Sequence, residues 1–201
     1  MIPLPDWTAS YRPAVEPGES YQDYLERAIG DLDAQLSGQL LQGEPLRRYF
    51  GHGELVVPSY RAKKEPPPEL FPALVLPLAC TLLLRQTQVE LGHGPLIVVA
   101  TFRPSGGAEF SAHKVNAAID VRPPELTNSA CRALMIGAGW IYRTHQHLNV
   151  GVGTYGPFKD RTTLVHIDAG ARPARVSWRH SGGKPVSSAI PKLPPAPWER
   201  P

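Results

Sequence analysis

The chain has 201 residues, 21 Lys and Arg against 18 Asp and Glu, a formal charge of +3 and 42% apolar residues. That length is enough for one domain with a sizeable core, and the near-balanced charge excludes both a strongly acidic chain and the dense Lys/Arg footprint of a nucleic-acid binder. Proline is the outlier: 23 prolines with 18 glycines are too many for a helical bundle and gather toward the ends of the chain.

The first nineteen residues are Pro-rich, carry no basic flank and no apolar run of signal-peptide length, and read as an extended arm. Ser20 then opens a helix, with Asp23 three positions on. Leu25, Ile29, Leu32, Leu36 and Leu40 form one apolar stripe that runs to about Gly43. Glu54 to Tyr60 is a short extended candidate, and the KKEPPPE run after it forbids helix or central strand. A second helix starts at Pro72 or Leu78 and stops at Gly92. It is apolar nearly all round, as a buried helix is, and its most apolar stretch, Leu70 to Leu84, is too short to span a bilayer.

Pro95 to Phe102, PLIVVATF, has the β-branched run of an interior strand. A polar loop from Arg103 to Phe110 leads to a turn and a strand at Ala117 to Val121. Pro123-Pro124-Glu125 starts a third helix that runs to about Ala138. Gly151, Gly153 and Gly156 punctuate a loop around Tyr155. Thr163 to Asp168 and Ala174 to Trp178 read as strands joined in a hairpin, and the chain ends in an irregular Pro-rich tail. This order predicts an α+β fold, a small antiparallel sheet with flanking helices. It divides into an arm plus helix (1–69), a core domain (70–181) and a tail (182–201), with the arm and tail dispensable for folding. Cys80 and Cys131 lie in apolar stretches and read as buried thiols; with no Cys-x-x-Cys pair there is no thiolate metal site.

Among seven histidines, His113 stands out because Asp120 follows it seven residues on, in the strand that its loop feeds. A loop and the strand it feeds can bring both side chains together, and zinc accepts imidazole nitrogen with carboxylate oxygen, three protein ligands plus water being the catalytic form. The third ligand should come from a neighbouring strand. His166, in the apolar run TLVHID, stands where a sheet ligand would. A hydrogen-bonded core histidine is the alternative reading for each. His145 and His147 alternate in RTHQH and read as spare cleft or surface residues, one of them a candidate proton shuttle.

Four segments in order, TFRPSGG, SAHKVNAAID, GVGTYGPF and LVHIDAGARPARVSW, resemble the zinc peptidases of the D-alanyl-D-alanine carboxypeptidase and murein endopeptidase type (M15-type), over about residues 70 to 180. On that pattern Arg103, His113, Asp120 and His166 fall on the family Arg, first His, Asp and second His. Ser111 and Ala118 also match, and Asp168, Gly170, Arg175 and Trp178 fall on the closing part. The resemblance implies a Hedgehog/DD-peptidase-like fold and a Zn2+ ion on His113, Asp120 and His166. It implies hydrolysis of peptidoglycan peptides, or other peptides containing D-amino acids, with no nucleic-acid partner. Arg103 is expected to act in catalysis and grip substrate, Asp168 to serve as base or orient the site, and Ser111 and Tyr155 to line the substrate.

The departures are Asn116 for the family Gly, Pro104 for the Ser after the Arg, and Thr163 and Leu164 where relatives place a Glu or another His before the second ligand histidine. The last pair keeps a second class open, a non-catalytic metal-binding or cell-wall-binding module on the same fold. A cell-wall substrate lies outside the cytoplasmic membrane, so the expected routes to it are release in the manner of a phage lysis protein or non-classical export.

Overall fold

The computed structural model describes residues 2–50, 52–55, 65–105, 111–156, 161–169, 176–181 and 184–187. Ser20 caps helix α1 (Tyr21–Gln35) as its sequence implies, its hydroxyl accepting from the Asp23 amide. The helix stops eight residues short of Gly43. Asp33 turns the chain, its carboxylate accepting from the amides of Leu40 and Leu41, while Ser37 and Gly38 take positive φ. Leu36 and Leu40 stay buried, so the stripe survives the end of the helix that was expected to carry it. A four-residue helix α2 (His52–Leu55) occupies the start of the extended candidate, and residues 56–64 lie outside the described part.

A 3-10 segment, Pro68–Leu74, runs directly into α3 (Val75–Glu90). Together they make 23 residues long and apolar enough to cross a membrane, which the expectation from Leu70 to Leu84 alone did not anticipate. Seventy-eight per cent of its most apolar eighteen-residue stretch is buried inside the protein, as a core helix requires. Helix α4 (Asn128–Thr144) starts later than Pro123, because Thr127 supplies the cap by accepting from the Ala130 amide. It meets α3 at Gly137, where a Cβ would stand 2.4 Å from Thr87 Oγ1.

Six strands form one sheet: β1 (Ile97–Ala100), β2 (Ala118–Arg122), β3 (Gly151–Tyr155), β4 (Leu164–Asp168), β5 (Val176–Ser181) and β6 (Lys184–Ser187), in the order β1-β2-β4-β3-β5-β6. The α+β class holds. The first four are antiparallel, while β3 and β5 pair in parallel, so the sheet is larger than expected and mixed. Two expectations fail here for one reason. The glycine-punctuated segment around Tyr155 is β3, and it inserts between β4 and β5, which therefore form no hairpin. Glycine is tolerated in β3 because its neighbour fills the space: a Cβ on Gly151 would lie 2.3 Å from Asp168 Oδ1. Lys184–Ser187 pairs as β6, so the tail is not irregular from its start.

Alternation divides the sheet. Ile119, Val121, Val152, Val165 and Ile167 are buried on one face in a single cluster with α3 and α4. Asp120, His166 and Asp168 alternate with them and share the other face. The core also runs across residue 70: Leu4, Tyr21, Tyr24, Leu25 and Ile29 belong to the same cluster as Leu78 and Ile167. The arm is tied down by Tyr11 Oη donating to the Ala28 carbonyl, Tyr24 Oη to the Pro13 carbonyl and Arg27 to Glu19. Cys80 and Cys131 are buried free thiols, and burial pushes the Cys80 thiol up to about 12.

Candidate metal centre

Strands β2 and β4 bring two of the expected ligands together without any loop, since Asp120 stands directly opposite His166 in the antiparallel register. His113 arrives from outside the sheet, on a one-turn 3-10 segment (Ala112–Val115). That turn ends at Asn116, whose φ of 55° lies in the left-handed region where glycine and asparagine are best tolerated, and it feeds straight into β2. The Ala117 amide donates to the Ala112 carbonyl, and the Arg103 amide to the His113 carbonyl.

Three atoms converge. His113 Nε2 lies 3.1 Å from Asp120 Oδ1 and 3.1 Å from His166 Nδ1, and His166 Nδ1 lies 2.7 Å from the same carboxylate oxygen. A tetrahedral ion with bonds of about 2.0–2.1 Å needs ligand atoms roughly 3.3 Å apart, so this triangle is close to one face of such a tetrahedron. No other cluster of three candidate ligands occurs among the described residues.

The far side of each imidazole fixes its proton. His113 Nδ1 is bonded to the Thr101 carbonyl, which can only accept, so that nitrogen carries the hydrogen. His166 Nε2 donates to Asp168 Oδ2 at 3.1 Å. The two remaining nitrogens therefore turn lone pairs toward Asp120 Oδ1, which adds its own. Three acceptors at such distances are stable only around a cation, a proton or a metal ion. When the cation is a proton, burial opposes charge on Asp120, but the hydrogen bonds that His113 and His166 then direct at it outweigh burial and hold the carboxyl well below the usual carboxylate range. Burial likewise opposes a charged His166, and Asp120 and Asp168 together raise its pKa above the ordinary imidazole value.

The other expected residues separate into those at the site and those beside it. Arg103 approaches through Nη2, 3.5 Å from Asp120 Oδ2, with its side chain 35% exposed, so the guanidinium stands at the solvent edge of the cluster. Asp168 is fully buried against Gly151 and bonded to the outer nitrogen of His166; that position orients the imidazole and is closed to a water molecule. Ser111 contributes its carbonyl to the Lys114 amide and makes no side-chain cap. Tyr155, paired with Leu164, shares the site face two residue pairs along the ladder from His166. Gly170 and Arg175 lie outside the described residues, as does the side chain of Trp178.

His145 and His147 are not at the site. His145 follows α4, whose Leu134, Ala138 and Ile141 pack with the opposite face of the sheet, and both rings bind the backbone of Leu4. Sequence reasoning missed Thr101, which acts through a carbonyl that every residue has, and Tyr21, whose link to Asn116 spans 95 positions. No protein-family profile matches the chain, and no curated protein or solved structure matches it significantly.

Proposed function

We propose that the protein is a zinc-dependent peptidase acting on peptidoglycan peptides next to D-amino acids, with its metal on His113, Asp120 and His166. The observation that carries the metal reading is the arrangement of the rings: each histidine has an outward acceptor on one nitrogen and turns its other nitrogen to a shared centre with Asp120. Two imidazoles and one carboxylate are a donor set that suits zinc. His113, Asp120 and His166 would hold that zinc, which when bound would supply Lewis acidity toward a peptide carbonyl and toward water.

The chain's own residues then have separable tasks. Arg103 offers a planar donor fork at the exposed edge, suited to a substrate carboxylate or to the oxyanion that develops on the attacked carbonyl. Asp168 holds the His166 tautomer. Tyr155 flanks the substrate side of the sheet. The choice of peptidoglycan rests on the motif resemblance and on Arg103.

One observation favours the second reading, a metal-binding module without turnover. Thr163 and Leu164 provide neither carboxylate nor imidazole, and Asp168 is shut away from water. Two measurements decide. Protein purified without added metal should carry close to one zinc per chain, and H113A and H166A should lose it; full metal content in both variants would refute the ligand assignment. The zinc-loaded protein should release D-alanine or split a cross-linked muropeptide, read by mass spectrometry. Stoichiometric zinc with no cleavage of either substrate would leave the binding module as the function.

A further inference from the structure

Three segments far apart in sequence meet at the side chain of Asn116. Its Nδ2 donates to the Leu70 carbonyl at 2.9 Å, and its Oδ1 accepts from Tyr21 Oη at 3.0 Å. The amide has only one way round, because the Leu70 carbonyl cannot donate. Both Asn116 and Tyr21 are fully buried. Tyr21 is the first residue of α1, set by the Ser20 cap, and its ring packs on Phe71 at 4.9 Å between centroids. The hydroxyl is therefore presented from a rigid support.

Asn116 is also the pivot between two ligands. It closes the turn that carries His113, its amide donating to the His113 carbonyl, and the strand that follows carries Asp120. A single 3-10 turn has little stability of its own, so its position must be set by what it is tied to. The left-handed backbone at 116 needs only glycine; the asparagine side chain adds the ties to α1 and to the Pro68–Leu74 segment.

We infer that Tyr21 is a positioning residue for the metal centre, acting through Asn116 on the turn that carries His113. This rests on the metal reading above. Helix α1 lies outside the strands that bear ligands, yet it fixes where the first ligand stands. Without the tyrosine hydroxyl, Asn116 Oδ1 is left buried and unpaired, and the turn can relieve that only by moving, which takes Nε2 off the shared centre.

The test uses the full-length chain and zinc alone. Zinc affinity is measured by competition with a chromogenic chelator, and melting temperature with and without zinc. Y21F should bind zinc about threefold to thirtyfold more weakly, less than the tenfold to hundredfold typical of a partner bonded directly to a ligand. Its melting temperature should rise less on zinc addition than that of the wild type. N116G keeps the backbone conformation, loses both ties and should weaken binding in the same direction; it also serves if Y21F folds poorly. Y24F is the control: Tyr24 sits on the same helix and against the same Phe71, but its hydroxyl goes to the Pro13 carbonyl. It should cost stability and leave zinc affinity unchanged. If Y21F and N116G lose stability yet bind zinc as tightly as the wild type, the two residues are structural only and the inference is overturned. A wild-type protein that binds no zinc would remove the centre itself, and this inference with it.

Discussion

Asp120 and Asp168 carry the same functional group on the same face of the sheet and do different work. Asp120 turns one oxygen to two imidazole nitrogens and the other toward Arg103, and it keeps some exposure, its side chain 12% accessible. Asp168 is closed off completely and is bonded to the outer nitrogen of His166. D168N keeps the shape and removes the charge that holds the imidazole, so zinc affinity should fall about tenfold to hundredfold. Gly151→Ala should reproduce part of that loss by pushing the same carboxylate, and chelator competition reads both. Arg103 is argued the other way, as a residue for substrate. R103K retains the charge and loses the planar fork. It should leave zinc content and melting temperature nearly unchanged while kcat/KM on a free-carboxylate peptide drops roughly tenfold to a thousandfold, or about 1.4 to 4 kcal/mol. Equal loss on the same peptide with its terminal carboxylate amidated would assign Arg103 to the oxyanion; wild-type rates on both would take it out of the reaction.

Helix α4 ends in a pair of histidines that hold the arm. The Leu4 amide donates to His145 Nε2 at 3.1 Å, and His147 Nε2 donates to the Leu4 carbonyl at 2.8 Å. On its other side His145 Nδ1 donates to the Ile141 carbonyl, so the ring must be neutral to accept from Leu4. Burial pushes its pKa down to about 4, with the Ile141 carbonyl pulling the other way and His147 adding to the fall. The ionisable groups facing it are His147 and, through His147, Asp6 of the arm, 3.5 Å from His147. An unfolded imidazole titrates near 6.5, so on acidification the unfolded chain takes the proton first. The stability carried by this clasp is complete above about pH 6.5 and is withdrawn between there and pH 4, on the order of 3 kcal/mol. Melting temperature should therefore fall over that range. Protection of the Leu4 amide, corrected for intrinsic exchange, should fall with it, and H145Q should flatten the His145 part of the slope. A Leu4 amide equally protected at pH 7 and pH 4.5 would contradict the clasp.

At the scale of the molecule the arm, α1, the buried helix and one face of the sheet share a single core. Removing residues 2–19 strips Leu4, which is 2% exposed, from that core, removes the buried Thr8 and breaks the Tyr11–Ala28 and Arg27–Glu19 ties. One buried leucine with several hydrogen bonds is worth about 2–4 kcal/mol, roughly 5–15 °C in melting temperature for a domain of this size. The truncated chain should also lose the His145 part of the acid response, since the ring is then free to protonate. Melting at the full-length midpoint would show that the arm merely rests on the surface, as its proline content first implied.

The elements that signal themselves locally were legible before any coordinates. Leucine spacing and a serine cap give α1, continuous apolarity gives α3 as a core helix, and short apolar runs rich in β-branched residues give β1, β2 and β4, because each depends on neighbours a few residues away. The His113–Asp120–His166 cluster was legible for the same reason: His113 and Asp120 belong to a turn and its strand, and His166 to the apolar run TLVHID. What only the tertiary structure decided depends on pairs remote in the chain. Gly151 is a strand residue because Asp168 fills the space a side chain would take. Strand β3 lies between β4 and β5, and the histidine pair after α4 serves the arm and not the site. Asn116 is more than a tolerated turn residue because Tyr21 reaches it. Spacing along a sequence encodes periodicity and short loops, but a hydrogen bond across 95 or 141 residues leaves no local trace. It exists only when packing has set both partners in place.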